Sequence, residues 1–250
     1  MVDHAYEDGR LARLYDLFNT WGPGDEFYLG LVGDAGSVLD VGCGTGLLLH
    51  RAREAGHTGR LVGLDPARGM LGVARRRRED IEWVLGDAQS TDWDAEFDLT
   101  VMTGHAFQVL VTDDQLRTSL AAIRQALTPG GAFAFETRNP SAKAWERWTP
   151  ERAAEVTDAD GALVRAAHEV EHPVDVDPVD GGLVRFSTTC TGAGWAGPEV
   201  SRSTLRFLGQ ERLGEFLAEA GLEVAEQYGD WGRGPVTEAS PEIITVARRA

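Results

Sequence analysis

Residues 37–46 read Ser-Val-Leu-Asp-Val-Gly-Cys-Gly-Thr-Gly, and no other stretch limits the fold so severely. Ser37 to Val41 is a β-branched and apolar run with the pattern of a buried parallel strand. Leu47 to Ala55 continues with helical periodicity, so the glycines occupy a strand-to-helix turn. Gly42 and Gly44 lack a Cβ and can take positive φ, which lets backbone amides come close to a ligand. Gly46 opens a helix whose N-terminus favours anionic groups. The expectation is a turn at the carboxyl edge of an α/β sheet, holding a ligand with a carboxylate or phosphate.

Spacing narrows the ligand. A dinucleotide fingerprint places its third glycine three residues after the second, whereas Gly46 follows Gly44 by two and Leu47 holds the expected place. A second strand, Arg60 to Leu64, ends at Asp65, which is 19 residues past Gly46. A carboxylate there accepts hydrogen bonds from two vicinal ribose hydroxyls, as Rossmann geometry requires. Asp65 precedes Pro66, and capping a helix from Pro66 to Arg77 is the alternative role.

The pattern Asp40-x-Gly42-x-Gly44-x-Gly46 resembles the first motif of class I S-adenosylmethionine (SAM) dependent methyltransferases. The resemblance implies a loop around the methionine half of SAM, with Asp40 near its ammonium group. Gly86-Asp87-Ala88, after a third strand from Ile81 to Leu85, is similar to the family's adenine-binding motif, with Asp87 accepting from the exocyclic amine. Tyr15-Asp16 resembles a pair on a segment that closes over the cofactor, although Tyr15 also fits the apolar stripe of its own helix. The implied cofactor shell is Tyr15, Asp40, Gly42, Cys43, Gly44, Asp65, Pro66, Met70, Gly86, Asp87, Ala88 and Thr103. From the glycine turn alone, a loop for NAD stays open.

Helical spacing of Leu11, Leu14, Tyr15 and Phe18 predicts one N-terminal helix over 4–20, and a second helix runs from Asp25 to Val32. Phe97 to Met102 is a fourth strand, and Thr112 with Gln115 makes a capping box for a helix to Leu127. "LTPGGAFAFE" (127–136), which contains the fifth strand, again resembles the family, as does a C-terminal antiparallel hairpin of 222–228 and 242–247. Between them, 150–208 alternates as three strands with turn signals, an inserted antiparallel meander forming a lid or substrate subdomain. The resemblance spans residues 38–139 with the hairpin added, and implies a Rossmann-like α/β fold. Its seven-stranded mixed sheet has the order 3-2-1-4-5-7-6, and residues 1–250 form a single domain with the insert.

Composition excludes other classes. The 40 acidic residues against 24 basic ones give a formal charge of -16, which repels polyanions and argues against nucleic acid and anionic membranes as partners. Two cysteines make neither a disulfide framework nor a metal set, and no run of 18 apolar residues occurs, so a cytoplasmic monomer or homodimer without metal is expected. Nucleobase amino-methylating enzymes of the family carry an Asn/Asp-Pro-Pro-aromatic sequence where this chain has Thr103-Gly104-His105-Ala106, and no cysteine follows a proline as cytosine C5 chemistry needs.

The resemblance therefore implies methyl transfer from SAM, leaving S-adenosylhomocysteine, to an N or O atom of a small molecule. Proximity and orientation do most of the work. His105, leaving the fourth strand toward the cleft, is the candidate catalytic base, with a structural wall histidine as the alternative. His168 and His172 alternate on an insert strand without a third metal ligand; Glu136, Arg138 and Asn139 end the fifth strand and are candidates for orienting substrate. A SAM-binding protein that does not methylate, cyclase-like or regulatory, is the other reading, and an NAD-dependent dehydrogenase a third.

Overall fold

The computed structural model describes residues 3–250. The chain begins with α1 (His4–Glu7) and α2 (Gly9–Phe18), followed by α3 (Pro23–Gly33) and β1 (Ser37–Val41). The expected single helix is broken at Asp8, whose carboxylate accepts from the N–H groups of Arg10 and Leu11 and so caps a new start. There follow α4 (Leu47–Glu54), β2 (Arg60–Asp65), α5 (Arg68–Arg77), β3 (Glu82–Leu85), β4 (Phe97–Met102), α6 (Asp113–Ala126) and β5 (Leu127–Arg138). Thr112 and Gln115 form the expected capping box at the start of α6. The Thr128–Gly131 segment belongs to β5 as an irregularity in its pairing, where the register with β4 jumps from Leu127 to Ala132.

Short strands β6 (Ala154–Thr157) and β8 (Val176–Asp177) accompany three longer ones, β7 (Leu163–Val170), β9 (Gly181–Gly192) and β10 (Glu199–Phe207). The chain closes with α7 (Gln210–Glu219), β11 (Leu222–Tyr228) and β12 (Glu242–Arg249). The main sheet has the order β11-β12-β5-β4-β1-β2-β3, with β12 antiparallel to both neighbours and the rest parallel. In sequence order this is the expected 3-2-1-4-5-7-6 arrangement read from the other edge. The insert forms a separate antiparallel sheet, β10-β9-β7-β6 with β8 on β9, five strands where three were expected. Strands of four and two residues are too short to show alternation.

Each face of the main sheet is covered, as parallel strands apolar on both sides demand. Leu116, Leu120 and Ile123 of α6 and Leu213 and Phe216 of α7 pack on one face, where Phe107 stacks on Phe135 at 4.3 Å. Tyr28 and Val32 of α3 with Leu48 and Leu49 of α4 cover the other.

Helix α2 is wedged between the two sheets. Its Leu11 and Leu14 pack with Val164 of β7, while Ala12 packs with Ala67 and Met70 beside α5. Polar ties reinforce both sides. Asp16 accepts from Thr45 Oγ1 at 2.6 Å and pairs with Arg77, and Arg10 pairs with Glu199 of β10 at 2.6 Å. Asp3 accepts from Ser203 Oγ of the same strand. No helix among the described residues is long and apolar enough to cross a membrane.

Candidate active site

The glycine turn is fastened largely by its own amides. Gly42 and Cys43 both donate to the Leu64 carbonyl, at 2.7 and 3.1 Å, Gly46 donates to Cys43 at 2.9 Å, and Gly44 donates to Asp65 Oδ2 at 2.8 Å. Those donors are therefore not available to an anion, contrary to the sequence expectation, and the turn offers shape more than charge. Gly42 has φ 76° and a Cβ there would meet Ala106 Cβ at 2.9 Å, so this glycine is required by the β4 exit loop packed on it. Gly44, at φ 55°, faces open space where a side chain would intrude.

Two carboxylates lie at this turn in different states. Asp65, 6% exposed, accepts from Gly44 N and, through Oδ1, from Ala67 N at 2.8 Å. The second bond caps the turn that sets α5 to start at Arg68, later than the expected Pro66. Burial raises the Asp65 carboxyl and the two amides oppose that, leaving lone pairs on both oxygens for ligand hydroxyls. Asp40 is 1% exposed and its Oδ1 has no hydrogen-bond partner. Burial, then the nearby Asp65 and Glu136, push its carboxyl up to about 8. A buried acid without a counter-charge fits a site that receives a cationic group, and an ammonium beside Asp40 would restore its ionised form. Together with the ribose-compatible Asp65 and the open space at Gly44, these residues fit SAM.

The remaining expected cofactor residues divide. Asp87 is exposed after β3, accepts from Ser90 N at 3.0 Å, and keeps an oxygen free, while its neighbour Ala88 is buried. Gly86 N donates to the Asp65 carbonyl at 3.1 Å, which joins the second and third strand ends. Thr103 is partly exposed at the end of β4. Tyr15 reaches across from α2: a Cβ on Gly104 would lie 3.3 Å from its hydroxyl, and its ring meets Tyr6 edge-on at 6.1 Å. Burial raises both phenols, Tyr6 to about 12, yet Tyr6 keeps 38% of its surface open, the mark of a group facing a cleft rather than a packed core. Cys43 is buried with its thiol pushed up, Pro66 is exposed, and Met70 is 2% exposed in the packing of α2 on α5. Met70 thus supports Tyr15 from behind and has no open surface toward the cleft.

On the other side of β1 the site is made of side chains distant in sequence. His105 has φ 62°, an uncommon conformation for a residue with a Cβ. Its N–H donates to Glu136 Oε1 at 2.8 Å, and its Nε2 lies 2.9 Å from Glu242 Oε2. Glu136 is 2% exposed, also accepts from the buried Tyr28 hydroxyl, and is raised by burial. Arg138 closes this side, its Nη1 donating to Gln108 Oε1 at 3.0 Å and its guanidinium 5.2 Å from the Trp148 ring centre. His168 of β7 faces the same region: its Nδ1 is 2.9 Å from Thr188 Oγ1, and burial followed by Arg138 holds it below the usual imidazole range. Tyr6, Tyr28, Gln108 and Glu242 are members that sequence reading missed. Glu242 alone carried a signal, as the first residue of a strand destined to lie beside the fifth.

Two surface depressions of about 600 and 610 Å³ lie elsewhere, where Val179 and Glu211 contribute to both, and neither includes the glycine turn.

Comparison with known proteins agrees with this architecture. The family model for a methyltransferase domain matches residues 38–131, the span from β1 into β5. The chain is 28% identical to a cypemycin N-terminal methyltransferase of Streptomyces sp over 100% of both chains, and 29% identical to a trans-aconitate 2-methyltransferase of Methylobacterium nodulans over 85% of this chain and 86% of that one. A SAM-bound amino pentose methyltransferase from Micromonospora echinaspora superimposes with a TM-score of 0.68 over 95% of this chain and 97% of its own at 24% identity, which speaks for the fold. Motif order, sheet order and these matches together support a class I SAM-dependent methyltransferase.

Proposed function

We propose that this enzyme methylates an amine nitrogen of a small molecule, held between the carboxyl ends of β4, β5 and β12 and the facing side of the second sheet. The observation that carries the reading is the His105–Glu242 pair at 2.9 Å, standing beside the buried Glu136. An amine must lose its proton to react, and an imidazole whose one nitrogen is tied to a carboxylate is fixed in orientation, with its other nitrogen left to take that proton. The whole-length similarity to a cypemycin N-terminal methyltransferase supports this choice.

SAM supplies an activated methyl group and its own leaving group. The chain supplies the rest. Asp65 is assigned to the ribose hydroxyls, Asp87 to the adenine, Asp40 to the ammonium, and Gly42 and Gly44 to close approach, while Tyr15 forms a wall across Thr103 and Gly104. The second sheet covers the acceptor side, excluding water and holding the amine in line, terms worth about 7–11 kcal/mol in a well-aligned complex.

Calorimetry with SAM and NAD, then transfer of labelled methyl to matched amines, alcohols and carboxylates, tests the reading. Label on amines is expected, and label confined to oxygen acceptors sinks it. His105→Ala should spare SAM affinity and slow single-turnover transfer by about a hundredfold. Near-normal turnover in that variant removes the base and leaves a site that works by alignment.

A further inference from the structure

Arg138 is the last residue of β5, opposite Glu242 of β12. Gln108 has no exposed surface, and its Nε2 donates to the Arg206 carbonyl at 2.9 Å, so its oxygen is the end turned to Arg138. That oxygen receives Nη1 at 3.0 Å and the backbone N–H of Arg138 at 3.3 Å. Trp148 lies against the guanidinium at 5.2 Å and is itself 4.9 Å from Phe186 of β9. The side chain is fixed on two sides before any ligand arrives.

What the guanidinium lacks is an anion. Arg10, Arg77 and Arg206 each pair directly with a carboxylate, whereas Arg138 forms no such pair among the described residues. Glu242 and Glu136 act on it through space, but the first is bound to His105 and the second to Tyr28 and the His105 N–H. Its Nε and Nη2 have no partner within the described chain and are not among the sealed, unpaired polar atoms, so they remain accessible. A largely desolvated charge without a partner is costly, and a planar fork with two free donors matches a carboxylate or phosphate oxygen pair.

We propose that Arg138 anchors an anionic group of the acceptor, so that the substrates are amines also carrying a carboxylate or a phosphate. The amine half of this statement rests on the function proposed above; the anion half does not. Arg138 and the His105 loop end neighbouring strands, about 5 Å apart, so the amine and the anion are separated by a few bonds, with a ring or chain against Trp148 between them.

The test compares the parent chain with Arg138→Gln and Arg138→Lys, each with and without S-adenosylhomocysteine. Inorganic phosphate is titrated against tryptophan fluorescence, which Trp148 should dominate in the response, and the KM is measured for amino carboxylates beside their methyl esters. Phosphate affinity should fall about tenfold or more in the Gln variant and less in the Lys variant, with S-adenosylhomocysteine affinity unchanged. The KM of the carboxylates should rise by a similar factor in the Gln variant, with the esters unaffected. A phosphate response absent from the parent, or equal in parent and Gln variant, overturns the anchor, as does an equal loss for carboxylates and esters. An Arg138-dependent phosphate response with no methyl transfer to any amine keeps the anchor and discards the amine reading.

Discussion

The two halves of the cleft are built by different means. On the β1–β3 side, the two aspartates at the strand ends are fastened to backbone a few residues away or on the adjoining turn: Asp65 holds Gly44 and Ala67, and Asp87 holds Ser90. On the β4–β5–β12 side, the ties join side chains distant in the chain, Tyr28 to Glu136 and His105 to Glu242, residues 108 and 137 positions apart. Local ties give a rigid recess that suits a cofactor common to every turnover. Long-range ties place chemistry wherever the strands meet, and a few exchanges there would change the acceptor without disturbing the recess.

The largest effect expected on this contrast comes from Asp40. Its carboxyl sits near 8 instead of 3.8, so the folded chain keeps a proton that the unfolded chain releases. That contribution to stability is fully present below 3.8 and is lost as the pH rises through about 8. Asp40→Asn has no such loss. The difference between variant and parent should therefore grow in the variant's favour by about 1.4 kcal/mol per pH unit across that window, while SAM affinity weakens. Denaturant unfolding without cofactor at a series of pH values reads the slope, and a flat difference would break the account of the recess as awaiting a cation.

Asp65→Ala comes next. It removes the acceptor assigned to ribose and also releases Gly44 and Ala67, so SAM binding should weaken about ten- to a hundredfold, or roughly 1.5–3 kcal/mol. Titration calorimetry measures it, and Asp65→Asn, which keeps one acceptor oxygen, should lose less. Smallest is Glu242→Gln on the other side. With the His105 ring less firmly held, turnover should fall about tenfold at unchanged SAM affinity. A drop in SAM affinity in that variant would mean that the two halves are not separable.

This division also decides what could be read from the chain. Gly42, Gly44, Asp65 and Asp87 stand at the ends of successive strands, where apolar run, turn residue and helix start are contiguous, so the sheet order and the recess were legible. A motif position says nothing of helix phase, and the phase of α5 packs Met70 with Ala12 and Ala67. The amides of Gly42, Cys43 and Gly44 are taken up within the turn and its neighbour strand, by the Leu64 carbonyl and Asp65. The Glu242 contact depends on the register that sets it opposite Arg138, a fact about pairing between distant strands that no single stretch contains. Asn139, a candidate for orienting substrate from its place at the end of the fifth strand, donates its amide to the Thr237 and Ser240 carbonyls at 2.9 Å and fixes the loop before β12.

The wedge formed by α1 and α2 sets an order of assembly. Residues 3–16 find their partners at Glu199 and Ser203 on one side and at Thr45 and Arg77 on the other, so this segment cannot settle until β10 is in place. Contacts of such long separation require closure of a long loop, which slows their formation. Detachment of this segment would bare the surfaces it covers, Val164 of β7 on one side and Ala67 and Met70 on the other.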